Sequence, residues 1–148
     1  MARELKDNAP EVLNARLVAA GADIREKYGP HLGWEELQQL LADRSCVPYP
    51  CEIRFDAEPL LPGEFAHTAP KGLKPEEGFT IYVHPSYAGQ LALVPYLVLH
   101  QLVAVRYGDA TTPEDAETFG SCALGLSKEA YYQALCELSG QIGGDELV

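Results

Sequence analysis

The chain has 148 residues and a formal net charge of −11, from 11 Lys and Arg against 22 Asp and Glu. That length suits a single domain over residues 1–148 with one core. The charge excludes nucleic acid and anionic membrane surfaces as partners, because no basic cluster is present to neutralise phosphates. The opening MARELKDNAPEV is charged throughout and lacks the apolar stretch of a secretory signal. No apolar run reaches the roughly 18 residues of a membrane span, so a cytoplasmic protein is expected.

The first helix is signalled by Asn8 as N-cap, Pro10 in the first turn, and Leu13, Leu17, Ala20, Ile24 and Tyr28 at helical spacing, with Gly29-Pro30 as its stop. A second helix runs from Trp34 to about Arg44. Trp34, Leu37, Leu40 and Leu41 form its apolar face, with Glu35, Glu36 and Gln39 opposite. The period then changes to two. In CEIRFDA, Cys51, Ile53 and Phe55 alternate with Glu52, Arg54 and Asp56; in GFTIYVHP, Phe79, Ile81 and Val83 alternate with Thr80, Tyr82 and His84. The Pro- and Gly-rich connection between these strands includes Glu64 to Thr68, which could add a third.

After His84-Pro85 the chain returns to helix. Pro95 is tolerated only in a first turn, so the main helix is expected from Val94 to Tyr107, with Gly108 as its stop. Thr112 caps the next helix, with Pro113 at its first position and an acidic first turn, and Gly125 ends it. Ser127 caps a last helix whose apolar face is Tyr131, Leu135, Leu138 and Ile142. Cys46, Cys51, Cys122 and Cys136 are spaced C-x4-C and C-x13-C, without a C-x2-C knuckle. They read as small buried thiols in a reducing cytosol.

The central helix carries Leu99-His100-Gln101-Leu102-Val103-Ala104-Val105. This resembles the L-H-E-L-x-H helix of zinc peptidases, in which two histidines at i and i+4 share a zinc and the glutamate beside the first acts as base for the bound water. With the strand GFTIYVHP, the lead-in ALVPYLVLH and the later PEDAETFGSCALGL, residues 50 to 126 are similar in layout to small zincin-like, SprT-like metallopeptidases. The implied fold is α+β: two N-terminal helices, a short two- or three-stranded antiparallel sheet, a buried central helix and two C-terminal helices.

Carried over residue by residue, the resemblance puts His100 where the first zinc ligand stands, Gln101 in place of the base and Ala104 in place of the second histidine. An amide cannot abstract a proton, and alanine has no donor atom. The resemblance therefore implies a pseudo-metallopeptidase without a catalytic residue, metal or cofactor. On this reading it binds a peptide or protein segment by strand addition along the sheet edge near Tyr82 to His84. Tyr96 and Tyr107 share the face of His100 at helical spacing and would line the same cleft, with either phenol hydrogen-bonded to the imidazole. The alternative is a zinc-dependent hydrolase with a non-standard ligand set, His100 with His84, His67 or an acid from Glu114, Asp115 and Glu117. A third reading is a structural or oligomer-forming domain. Without the resemblance, His100 reads as a hydrogen-bonded core histidine, His84 as a strand-end residue, and His67 and His31 as solvated loop residues.

Overall fold

In the computed structural model the backbone is described for residues 2–29, 31–108 and 111–147, and side-chain environments for 12–29, 31–108 and 111–140. The elements follow as α1 (Ala2–Tyr28), α2 (Trp34–Ala42), β1 (Cys51–Phe55), β2 (Ala66–Pro70), β3 (Phe79–Val83), α3 (Val94–Tyr107), α4 (Pro113–Leu124) and α5 (Lys128–Leu147). The architecture is α+β. Among the described residues no helix is long and apolar enough to cross a membrane.

α1 begins at Ala2, ahead of the cap expected at Asn8. Residues 2–6, AlaArgGluLeuLys, are all strong helix formers and extend the helix backwards through the proline. Pro30 and the side chains of Asn8, Pro10 and Ile142 lie outside the described residues. The helix starts and stops that follow agree with the sequence. Thr112 and Asp115 form a reciprocal capping box, with Asp115 N to Thr112 Oγ1 at 3.2 Å and Thr112 N to Asp115 Oδ2 at 2.9 Å. At the other end of α4, Gly125 takes φ of 70°, which an L side chain resists. There Gly125 N bonds Cys122 O and Leu126 N bonds Ser121 O, a Schellman turn.

The sheet differs from expectation in two ways. β2 lies two residues beyond the predicted Glu64–Thr68, and the sheet is mixed rather than antiparallel, in the order β1-β3-β2. β3 is parallel to β1 and antiparallel to β2. Periodicity reports which face a strand buries, not which neighbour it takes. Ile81 and Val83 are fully buried, and β3, the most apolar strand, takes the middle, where both of its edges are paired. The loop 56–65 carries the chain across to form β2, and the segment 71–78 returns β3 into the gap. Phe79 N to Pro50 O, at 2.8 Å, fixes the start of β3 beside β1.

Strand alternation sets two faces. Cys51, Ile53, Phe55, Ala66, Thr68, Phe79, Ile81 and Val83 look toward α3. Glu52, Arg54, His67, Thr80 and Tyr82 look away, and Glu52 gathers Arg54, Lys71 and Thr80 at 3.1–3.4 Å. α3 lies between the sheet and α4, and α4 packs against α1. Leu97, Val98, Leu99 and Leu102 of α3, Phe119 of α4 and Tyr131 of α5 are fully buried in one continuous core with Leu17 and Ile24 of α1. Of the thiols, Cys46 is buried, Cys51 and Cys122 are half-buried and Cys136 is exposed. The burial expected for Cys136 fails because Leu135 and Leu138 hold the buried stripe of α5 and turn residue 136 outward.

Candidate functional site

The second half of α3 faces the sheet-side cleft, and His100, Gln101 and Ala104 come together on it. His100 and Ala104 are one turn apart, and both line a small cavity of about 210 Å³ with Thr111, Thr112, Pro113 and Ala116. A second, larger cavity of about 420 Å³ starts at Ala104 and runs between the last turn of α3 and the end of β2. The cleft thus has α3 as its floor, β2 along one side and the start of α4 along the other.

His100 is half-buried, its ring edge-to-face with Phe65 at 5.6 Å between centroids and 85° between planes. Burial pulls its pKa below the ordinary histidine value, so the imidazole is neutral at pH 7. Gln101 is bound to β2. Thr68 Oγ1 donates to Gln101 Oε1 at 2.8 Å, and Gln101 Nε2 makes a longer bond to Ala66 O at 3.5 Å. The amide is therefore tied to the strand and is a satisfied polar group.

The strand itself is an open edge. His84 N donates to Phe65 O at 2.9 Å, so by the β2–β3 register residues 65, 67 and 69 spend their backbone groups on β3. In an antiparallel ladder the alternate residues then turn theirs outward. These are Ala66, Thr68 and Pro70, and proline, lacking an N–H, closes the donor row. Gln101 already sits on the first of these carbonyls.

The other expected site residues lie elsewhere. β3 is central, so the edge expected near Tyr82 to His84 does not exist. Tyr82 is on the outer sheet face between Arg54 and the exposed His67. His84 caps the turn Pro85–Tyr87, its Nδ1 accepting from Ser86 N at 3.2 Å and lying 2.9 Å from Ser86 Oγ. Among the described residues no hydrogen bond from a phenol reaches His100. Side chains on a helix lean toward its N-terminus, and the ring of Tyr96 leans away from His100 to stack on Tyr131 at 6.3 Å. Tyr107 shares the face of His100 but stands about 10 Å further along the axis, in the larger cavity.

The alternative ligand set is not assembled. Among the described residues no three His, Cys, Asp or Glu side chains come together where they could hold a metal ion. Glu114 is exposed, and Asp115 is held in the capping box. Glu117 faces α5, where burial and then its charge raise the Tyr131 phenol well above the ordinary value.

Sequence reading missed Thr68 and Phe65 as partners of the motif. The period-two alternation of Ala66, Thr68 and Pro70 was the available signal, but nothing in it indicated that β2 would be the edge beside α3. Arg106 was missed too. It lines the larger cavity, its Nη1 donates to Cys46 O, and its Nε is buried without a hydrogen-bond partner among the described residues. Compared with protein-family models, curated proteins and solved structures, the chain matches none.

Proposed function

We propose that this chain is a zincin-like pseudo-metallopeptidase that holds an extended peptide segment along the outer edge of β2, over α3, without cleaving it. The observation that carries the reading is the bonding of Gln101. At the position where the resemblance requires a water-activating carboxylate, an amide is bound to Thr68 and Ala66 of the edge strand. An amide has no basic lone pair for a water proton, whereas it suits a strand edge, where donors and acceptors alternate. Ala104, one turn on, leaves room in the cleft instead of a second imidazole. The backbone groups of Ala66 and Thr68 supply the ladder by which such an edge takes up a chain.

The setting we infer is the cytosol, where Cys46, Cys51, Cys122 and Cys136 remain the free thiols they are here. The net charge of −11 disfavours nucleic acid as a partner.

The test is an amide-resolved NMR titration with the capped peptide acetyl-Gln-Leu-Thr-Val-Thr-amide. Shifts centred on the amides of Ala66 and Thr68, with the peptide intact after prolonged incubation, are the expected result. Shifts confined to other elements, or cleavage abolished by His100→Ala, would overturn the reading. The inherited geometry has its own check in the double variant Gln101→Glu with Ala104→His. It is expected to bind zinc more tightly than the parent and to lose that gain on His100→Ala. If no zinc affinity is gained, the likeness to zincins fails.

A further inference from the structure

We infer that the larger cavity beside β2 is a subsite for an acidic side chain of the bound segment, read by Arg106 and Lys74. The inference rests on the peptide-binding reading above and names the residue type that the cleft selects.

The cavity, about 420 Å³, continues the β2 edge past Thr68 and Pro70. Tyr49, Phe79 and Tyr107 give it an aromatic wall, and Leu73 stands wholly exposed at its rim. Among the described residues, Lys74 and Arg106 are its only charged lining residues. The guanidinium of Arg106 is held in place, with one nitrogen on Cys46 O and its carbon 5.5 Å from the centroid of the Tyr107 ring. Its Nε is removed from solvent and has no acceptor among the described residues. A buried N–H of a charged group is stabilised most by an ionised oxygen. Of the two carboxylates on the same loop, Glu77 is folded back onto Lys74 N at 3.0 Å, and Glu76 is exposed and does not line the cavity.

The direction of the ladder decides which carboxylate the subsite takes. A segment added antiparallel to β2 runs from the Pro70 end to the Ala66 end, so its N-terminal part passes the cavity. A C-terminal carboxylate would lie at the far end, beside His100. The group at Arg106 is therefore an Asp or Glu side chain one or two residues ahead of those paired with Thr68. The chain's net charge of −11 repels acidic peptides in general, so a preference for one must come from local contacts.

Two capped peptides test this, acetyl-Glu-Leu-Thr-Val-Thr-amide against its Gln counterpart, titrated under one salt condition. The Glu peptide is expected to bind about tenfold more tightly, the scale of one charge-assisted hydrogen bond. That advantage should disappear in Arg106→Gln and shrink in Lys74→Gln. Equal affinities, with both peptides shifting the Ala66 and Thr68 amides, would overturn the acidic subsite and leave the peptide-binding reading standing. If neither peptide shifts those amides, the broader reading fails and the subsite with it. A Glu preference retained in both variants would also overturn the subsite. Should Arg106→Gln lose its fold through the bond to Cys46, Lys74→Gln alone decides, because Lys74 is exposed on a loop.

Discussion

The two sides of α3 are built on different terms. Toward the middle of α4 and the first turns of α5 the helix meets packed side chains: Leu97, Leu99, Phe119 and Tyr131 have no exposed surface, and the Tyr131 hydroxyl ends on Tyr96 O at 2.6 Å. Toward β2 and the start of α4 the same helix presents half-buried His100, Gln101 and Ala104, two cavities and a side-chain bond between Gln101 and Thr68. The helical side spends its sequence on packing. The sheet side leaves volume open and holds the cleft with a few polar contacts, which is where a ligand can compete.

The largest effects are expected on the packed side. A Cβ added at Gly21 of α1 would stand 2.6 Å from Cys122 Cβ and 2.8 Å from Phe119 O, and the second of these is backbone. One added at Gly120 would enter the ring of Tyr131, 2.4 Å from Cζ. Alanine favours a helix by about 1 kcal/mol over glycine, yet overpacking at such sites costs about 1–3 kcal/mol or more. Gly21→Ala and Gly120→Ala should therefore each lower the urea midpoint. Variants as stable as the parent would show the helical side to be slack and break the comparison.

The contact across the cleft is expected to be worth less. Thr68→Val and Gln101→Leu each remove one partner of a part-buried hydrogen bond, and each should destabilise by about 1 kcal/mol. The double variant should fall short of the sum by about 0.5–1 kcal/mol, since each single change leaves the other group unpaired. Strict additivity in urea melts would mean that the bond at 2.8 Å does not hold the two walls together.

The difference between the sides also decides what could be read in advance. Helix spacing placed Leu17, Ile24, Leu37 and Tyr131 on apolar stripes that are buried, and the Thr112 cap and Gly125 stop followed from local chemistry. Local signals suffice where a helix satisfies its own backbone. A strand depends on its neighbours, which sequence spacing does not name. GFTIYVHP was legible as a strand, but its central position was not, so a sheet edge was expected at Tyr82 to His84, whereas Ala66 to Pro70 forms one. Within the site, spacing correctly put His100 and Ala104 on one face. It could not foresee that Tyr96 would turn to Tyr131, because helical phase fixes where a side chain starts and tertiary neighbours fix where it ends.

The smallest effect sharpens the comparison at a single ring. Burial lowers the pKa of His100 in the folded chain below the ordinary value of about 6.5 that it regains on unfolding. As pH falls through that ordinary value, the unfolded chain takes up the proton first, so the folded state loses stability down to the lowered pKa. Above about pH 6.5 the contribution is fully present. His100→Gln removes this titration, and stability measured from pH 7.5 to pH 5 should fall less steeply in the variant than in the parent. The carboxylates titrate in both chains and cancel in the difference. Parallel profiles would place the imidazole in water, and His100 would then not mark the boundary at which the packed interior of α3 gives way to the cleft.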